Sequence, residues 1–187
     1  MNRNRTAIVA FLLAALVMTS AGCARARNVP EDETTQGVLP IGERPVQRVP
    51  SSTPKQAVTS YLAAIPDAYY SLEVTVVAPF VTERQEVRED AYIELNRQKG
   101  QALEMQLVAF QVLQDADPST DATMAVIRTA EAWRWRYWGL SSRQPSTKWV
   151  TTRYEVEYSL ERMGRGWLVA STRVVAQSGE TTPAPLP

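Results

Sequence analysis

Residues 153–171 read RYEVEYSLERMGRGWLVAS. Tyr154, Val156, Tyr158 and Leu160 alternate with Arg153, Glu155, Glu157, Ser159 and Glu161. A period of two describes a strand with one apolar and one polar face. MGRG then makes a tight turn, in which Gly164 and Gly166 supply the permissive backbone dihedrals of a hairpin. WLVASTRVVAQ returns as the last strand, so the C-terminal part of the chain is antiparallel sheet.

The same period extends upstream. ATMAVIRTAEAWRWRYWGL predicts a long strand with a bulge near Arg128, and ALEMQLVAFQVLQ another, with Leu103, Met105, Leu107, Ala109 and Gln111 on one side. The turn clusters DADPSTD and SSRQPST separate them from their neighbours. Before residue 100 the period is helical. Thr53 can cap a helix and Pro54 suits its first turn. Ala57, Val58, Tyr61, Leu62 and Ile65 then share one face, and Pro66 ends or kinks the helix. Residues 67–81 predict a short helix with Tyr69, Leu72, Val76 and Phe80 inward. Thr82 and Gln85 have capping-box spacing. The next helix carries Val87, Ala91 and Leu95 at four-residue spacing beside Tyr92, with its charged face, Glu89 included, in solvent. Gly100 stands where a C-terminal cap belongs. Helices first and strands second imply α+β, with N-terminal helices packed on a curved antiparallel sheet of about four strands.

The flanks differ from this domain. The chain has 187 residues, 20 basic, 20 acidic, one cysteine and no histidine. That excludes an internal disulfide, a cysteine-based zinc site and histidine chemistry, and offers no general attraction to nucleic acid. MNRNR followed by the apolar run TAIVAFLLAALVM and the small residues of TSAGC is a secretory signal over 1–22. It resembles a bacterial lipoprotein signal, in which Cys23 becomes the lipidated first residue. Such signals usually carry Leu where this chain has Ser20, so an ordinary signal cleaved near Ala21 is the alternative. Residues 23–52, with Pro30, Pro40, Pro45 and Pro50 and no apolar period, predict a disordered tether; 178–187 predict a disordered tail. The folded domain is expected at 53–177.

The AEAWRW strand, the RYEVEYSLER strand and the closing GWLVAS strand, with a glycine turn between a charged strand end and a Trp, resemble the NTF2-like, cystatin-like cone. Within that superfamily the stretch from TPKQAVTSYLAAI to WLVASTRVV is similar to the IMS domain of chloroplast and cyanobacterial division proteins. The resemblance implies either an enzyme working in the open mouth of the cone, with Asp paired to His or Tyr, or a domain that only binds or scaffolds. The lack of histidine excludes the His–Asp form.

Residues 130–138, AEAWRWRYW, hold the candidate site. Strand alternation places Glu131, Trp133, Trp135 and Tyr137 on one face and Arg134 and Arg136 on the other, where Glu155 and Glu157 are their expected partners. The aromatic face, with Tyr69, Tyr70 and Tyr92 from the covering helices, suits an apolar ligand or partner peptide: Trp133, Trp135, Tyr137, Tyr69 and Tyr92 are the expected ligand-binding residues. Glu131 is the candidate general base of an isomerase-like site; the competing expectation is an ion pair with Arg153 or Arg173. Asp115, Asp117 and Asp121 crowd one turn but lack the spacing of a twelve-residue calcium loop. No metal, cofactor or nucleic acid is expected. The expected function is that of a cell-envelope lipoprotein whose domain binds a protein partner or small apolar ligand without catalysis. The alternatives are an isomerase- or cyclase-like enzyme and a purely structural envelope component.

Overall fold

The computed structural model describes residues 46–116 and 122–186. The signal, Cys23, the tether up to residue 45, and Asp117 and Asp121 lie outside the described residues. Helix α1 (Pro54–Ser71) leads through two 3₁₀ turns, Val74–Val76 and Ala78–Phe80, to helix α2 (Glu83–Gln98). Strands β1 (Gln101–Gln114), β2 (Met124–Gly139), β3 (Gln144–Pro145), β4 (Val150–Met163) and β5 (Gly166–Gly179) follow. The fold is α+β. Four long antiparallel strands stand in the order β1-β2-β4-β5, and the two-residue β3 pairs with the end of β2.

Thr53 caps α1 by accepting the Gln56 N–H at 3.2 Å. Pro66 neither ends this helix nor is followed by a new one. The helix continues to Ser71, because Ile65 and Ala68 on either side of the proline are buried and hold the turn against the core. It stops at Leu72, whose φ of 60° is left-handed and whose N–H returns to the Ala68 carbonyl. The buried Leu72 side chain offsets that backbone strain, and Arg97 Nη2 donates to its carbonyl. Tyr69, Val76 and Phe80 pack on the core as expected, from a helix end and two 3₁₀ turns rather than from a separate helix.

Helix α2 is turned away from its expected face. Val87 is 66% exposed and Leu95 46%, while Gln85, Glu89 and Ile93 point into the protein. The expected capping box is also missing: Thr82 makes no side-chain cap, and Gln85 spends its amide on Glu89 instead. A polar face can turn inward here because the groups it meets are hydrogen-bond donors.

In β1 an extra residue at Val108 reverses the alternation. Leu103, Met105 and Leu107 share the inner face with Phe110 and Val112, leaving Ala109 and Gln111 on the outer face with Ala132 and Ala130. A second irregularity lies opposite Arg128, on β1 rather than on β2. In the β4–β5 turn only Gly164 is left-handed, at φ +60°. Gly166 is required for a different reason: a Cβ there would stand 2.6 Å from the Cβ of Pro50.

Pro50 is near because the domain begins before Thr53. Ser51 pairs antiparallel with Trp167, its N–H reaching the Trp167 carbonyl at 3.0 Å and the Trp167 N–H returning at 2.8 Å. Val49 donates to the Pro79 carbonyl at 2.8 Å. At the other end, the residues expected as a tail stay attached. β5 runs to Gly179, Thr147 bridges to Pro185, and Lys148 N–H donates to the Ala184 carbonyl at 2.9 Å. The core between helices and sheet includes Val58, Val77, Val81, Ile93, Ile127, Leu160 and Val169, all fully buried. Burying each such side chain contributes about 1.5–3 kcal/mol.

Candidate functional site

Glu131 lies on the inner face of β2, 5% exposed. Its Oε1 accepts from Thr129 Oγ1 and from Tyr158 Oη, both at 2.6 Å, and its Oε2 from Trp133 Nε1 at 2.8 Å. Local structure explains the set. Thr129, Glu131 and Trp133 are successive inner positions of one strand, and Tyr158 stands beside them on β4, where it pairs with Ile127.

A second carboxylate sits across the core. Glu89 of α2 is 4% exposed. Its Oε1 accepts from Tyr61 Oη and Gln85 Nε2 at 2.6 Å, and its Oε2 from Tyr69 Oη at 2.7 Å. None of the ion pairs among the described residues includes Glu89 or Glu131. Each carboxylate is instead held by three neutral donors, which meets the demand of burial without a cation. Burial pushes the Tyr61, Tyr69 and Tyr158 hydroxyls well above the ordinary phenol range, and the neighbouring carboxylate pushes each the same way. The three phenols therefore stay protonated and serve as donors.

The expected ligand-binding residues divide among four places. Trp133 is committed to Glu131 and Tyr69 to Glu89. Trp135 and Tyr137 form a half-buried edge-to-face pair, centroids 5.6 Å apart, and Trp135 Nε1 donates to Thr152 Oγ1 at 3.0 Å. Tyr92 lies half-buried on α2, with the Arg88 guanidinium 6.0 Å from its ring centroid. Neither expected ion pair of Glu131 forms. Arg173 pairs with Glu157 at 2.8 Å, and Arg153 has no ion pair among the described residues. Arg134 and Arg136 do not meet Glu155 or Glu157, because the register sets Thr151 opposite Arg134. Arg136 pairs with Glu104 on β1 at 2.6 Å, and both guanidiniums lie over Trp149, at 4.6 Å for Arg134 and 4.5 Å for Arg136.

The outer face of the sheet carries a groove of about 470 Å³. It crosses all four long strands along three register rows, centred on Phe110, Glu131, Tyr154 and Gln177. The rows on either side contribute Ala109, Ala130, Ala132 and Ala176, with Arg153, Glu155, Gln111 and Ser178. By strand alternation these side chains project opposite to that of Glu131, so the groove and the buried carboxylate occupy different faces of one sheet.

Sequence reasoning missed Tyr61, Gln85, Glu89 and Tyr158 as members of a polar cluster. One signal was present: Tyr158 alternates in phase with Val156 and Leu160, which already set it on the core face. Among the described residues, no group of three or more His, Cys, Asp or Glu side chains is placed to hold a metal ion. No helix among them is long and apolar enough to cross a membrane.

No family model matches the chain, and no curated protein matches it. Among solved structures, the intermembrane space region of the chloroplast protein ARC6 is similar at a TM-score of 0.50 and 16% identity, over 69% of this chain and 98% of that one. A periplasmic fragment of TraM aligns at a TM-score of 0.44 and 9% identity, over 64% of this chain and 96% of that one. At such identity the likeness to the first is one of fold, the α+β arrangement described above.

Proposed function

We propose that the chain is a lipid-anchored protein of the bacterial cell envelope, held through Cys23, whose NTF2-like domain binds a protein partner and catalyses no reaction. The observation that carries this reading is the filled interior around Glu131. A general base must reach its substrate proton at about 2.6–3.2 Å. Here both oxygens of Glu131 are occupied by Thr129, Trp133 and Tyr158, and Trp133 and Tyr158 are themselves buried. The same neighbours, Trp133 and Tyr158, are buried side chains packed in the core, which favours a structural role for that carboxylate over an apolar-ligand site. The surface that is left for recognition is the outer one.

Cross-linking of intact cells followed by purification of the full chain tests the binding role. A stoichiometric protein adduct supports it. A chain recovered alone and sedimenting as a monomer sinks it. The anchor is tested separately, by membrane fractionation: the Cys23→Ser protein should appear in the soluble fraction, and its retention on membranes would count against lipidation.

A further inference from the structure

We propose that the alanine-floored groove of the outer sheet face docks an extended acidic segment of a partner protein, with Arg153 and Arg134 receiving its carboxylates. This rests on the partner-binding reading above and names the surface and the chemistry of that partner. The groove's small side chains are Ala109 on β1 paired with Ala132 on β2, Ala130 two residues along β2, and Ala176 on β5, which is separated from Ala130 by Glu155 of β4. Four side chains that end at Cβ, among longer neighbours, make the depression. Its 470 Å³ falls within the roughly 300–1,000 Å³ of binding pockets. Four strands at a spacing of about 4.8 Å give a floor roughly 14 Å across, the length of about four extended residues.

Charge selects the occupant. Three outer-face carboxylates around the groove are already matched: Glu104 by Arg136 at 2.6 Å, Glu155 by Arg128 at 2.8 Å and Glu157 by Arg173 at 2.8 Å. Two arginines are left over. Arg153 lines the groove and has neither an ion pair nor a hydrogen bond among the described residues. Arg134, two residues along β2 from Ala132, is exposed and stacks on Trp149. Arg134 and Arg153 are diagonal neighbours, since Arg134 pairs with Thr151 and Arg153 with Ala132. Glu180, whose N–H reaches the Thr151 carbonyl at 3.3 Å, forms no ion pair with either. Two uncompensated guanidiniums, one of them fixed by an indole, match carboxylates presented by an extended chain. The methyl groups of the groove beside them suit the small apolar parts of that chain.

The test uses the full chain in its own cells. A photo-cross-linking amino acid replaces Gln111 on the groove rim, and in a control it replaces Val87 on the exposed face of α2. The expected result is a protein adduct from position 111, mapping to a partner segment with at least two carboxylates, and falling about tenfold with Arg134→Glu plus Arg153→Glu. Arg153→Glu alone, which breaks no ion pair or hydrogen bond among the described residues, should reduce it in the same direction. A protein adduct found only from position 87, one unaffected by charge reversal, or a lipid adduct at 111 would overturn the groove assignment while partner binding stood. Absence of protein adducts by any cross-linker would instead overturn the partner-binding reading itself.

Discussion

Tyr61 of α1 and Tyr158 of β4 meet edge to face, with ring centroids 6.1 Å apart and 71° between their planes, and each donates its hydroxyl to a different buried carboxylate. The pair joins two otherwise separate polar clusters through an aromatic contact. Helix α2 reaches this point through Glu89 and the sheet through Glu131, so three layers of the fold converge on two rings. Their hydrogen bonds are directional, and they set the orientation of the helices more narrowly than apolar packing would.

Glu131→Ala should destabilise the domain by about 2–4 kcal/mol, because it leaves the Trp133 indole and the Tyr158 hydroxyl buried without an acceptor. Urea unfolding should show an earlier midpoint with an unchanged slope. A midpoint within error of the parent would mean that water reaches these donors.

Alkaline pH should unfold the domain. In the unfolded chain the phenols titrate near about pH 10. In the folded chain Tyr61, Tyr69 and Tyr158 are held well above that, by burial first and by their carboxylate partners second. Their contribution to stability is therefore complete below about pH 10 and is lost as the pH climbs beyond it. Phenolate absorbance checks this: those three tyrosines should ionise only together with loss of secondary structure, and Tyr158→Phe should weaken the pH dependence.

Helix α2 supplies a test of which face is inward. Val87→Lys should stay within about 0.5 kcal/mol of the parent, whereas Ile93→Ala should cost about 2–5 kcal/mol. Thermal unfolding of the two variants separates them. A reversed order would restore the face that hydropathy alone selects.

Gly166→Ala should loosen the N-terminal segment. Its Cβ would meet Pro50 Cβ at 2.6 Å and the Pro50 backbone at 2.9 Å, at a cost of about 1–3 kcal/mol. Hydrogen exchange at the Ser51 and Trp167 amides should accelerate by more than the global loss of stability explains. Gly164→Ala has free space but a φ of +60°, so its penalty should appear in the hairpin alone.

Local signals made much of this fold legible. The alternation of Tyr154, Val156, Tyr158 and Leu160, the cap at Thr53 and the turn at Gly164 each depend on a few neighbouring residues. The face of α2 did not, since Glu89 is drawn inward by Tyr61 and Tyr69, which lie 28 and 20 residues earlier in the chain. A hydropathy pattern assigns such a carboxylate to solvent because it contains no record of distant donors. The bulge at Val108 was hidden for a related reason: it exists only relative to the partner strand, and it moved Ala109 to the outer face. Of the candidate site, strand parity correctly put Glu131 beside Trp133 on one face and Arg134 on the other. Which carboxylate each arginine meets depended on register, which alternation does not specify.

The Ser51–Trp167 pairing has a mechanical consequence. The chain is fastened as it enters the domain, by Arg48 on Glu86, by Val49 on the Pro79 carbonyl and by Ser51 on the buried start of β5, close to the β4–β5 hairpin. Tension applied from the N-terminal side is therefore received first by Arg48, held on Glu86 and the Ala78 carbonyl, and by the Val49–Pro79 bond, and then by the two Ser51–Trp167 bonds, before it reaches α1. The Arg48 and Val49 contacts would part first and the Ser51–Trp167 pair after them, like successive teeth of a zipper, while Thr53 and Pro54 stayed seated at the helix start. The segment can thus take up a tug on the chain before the core is strained.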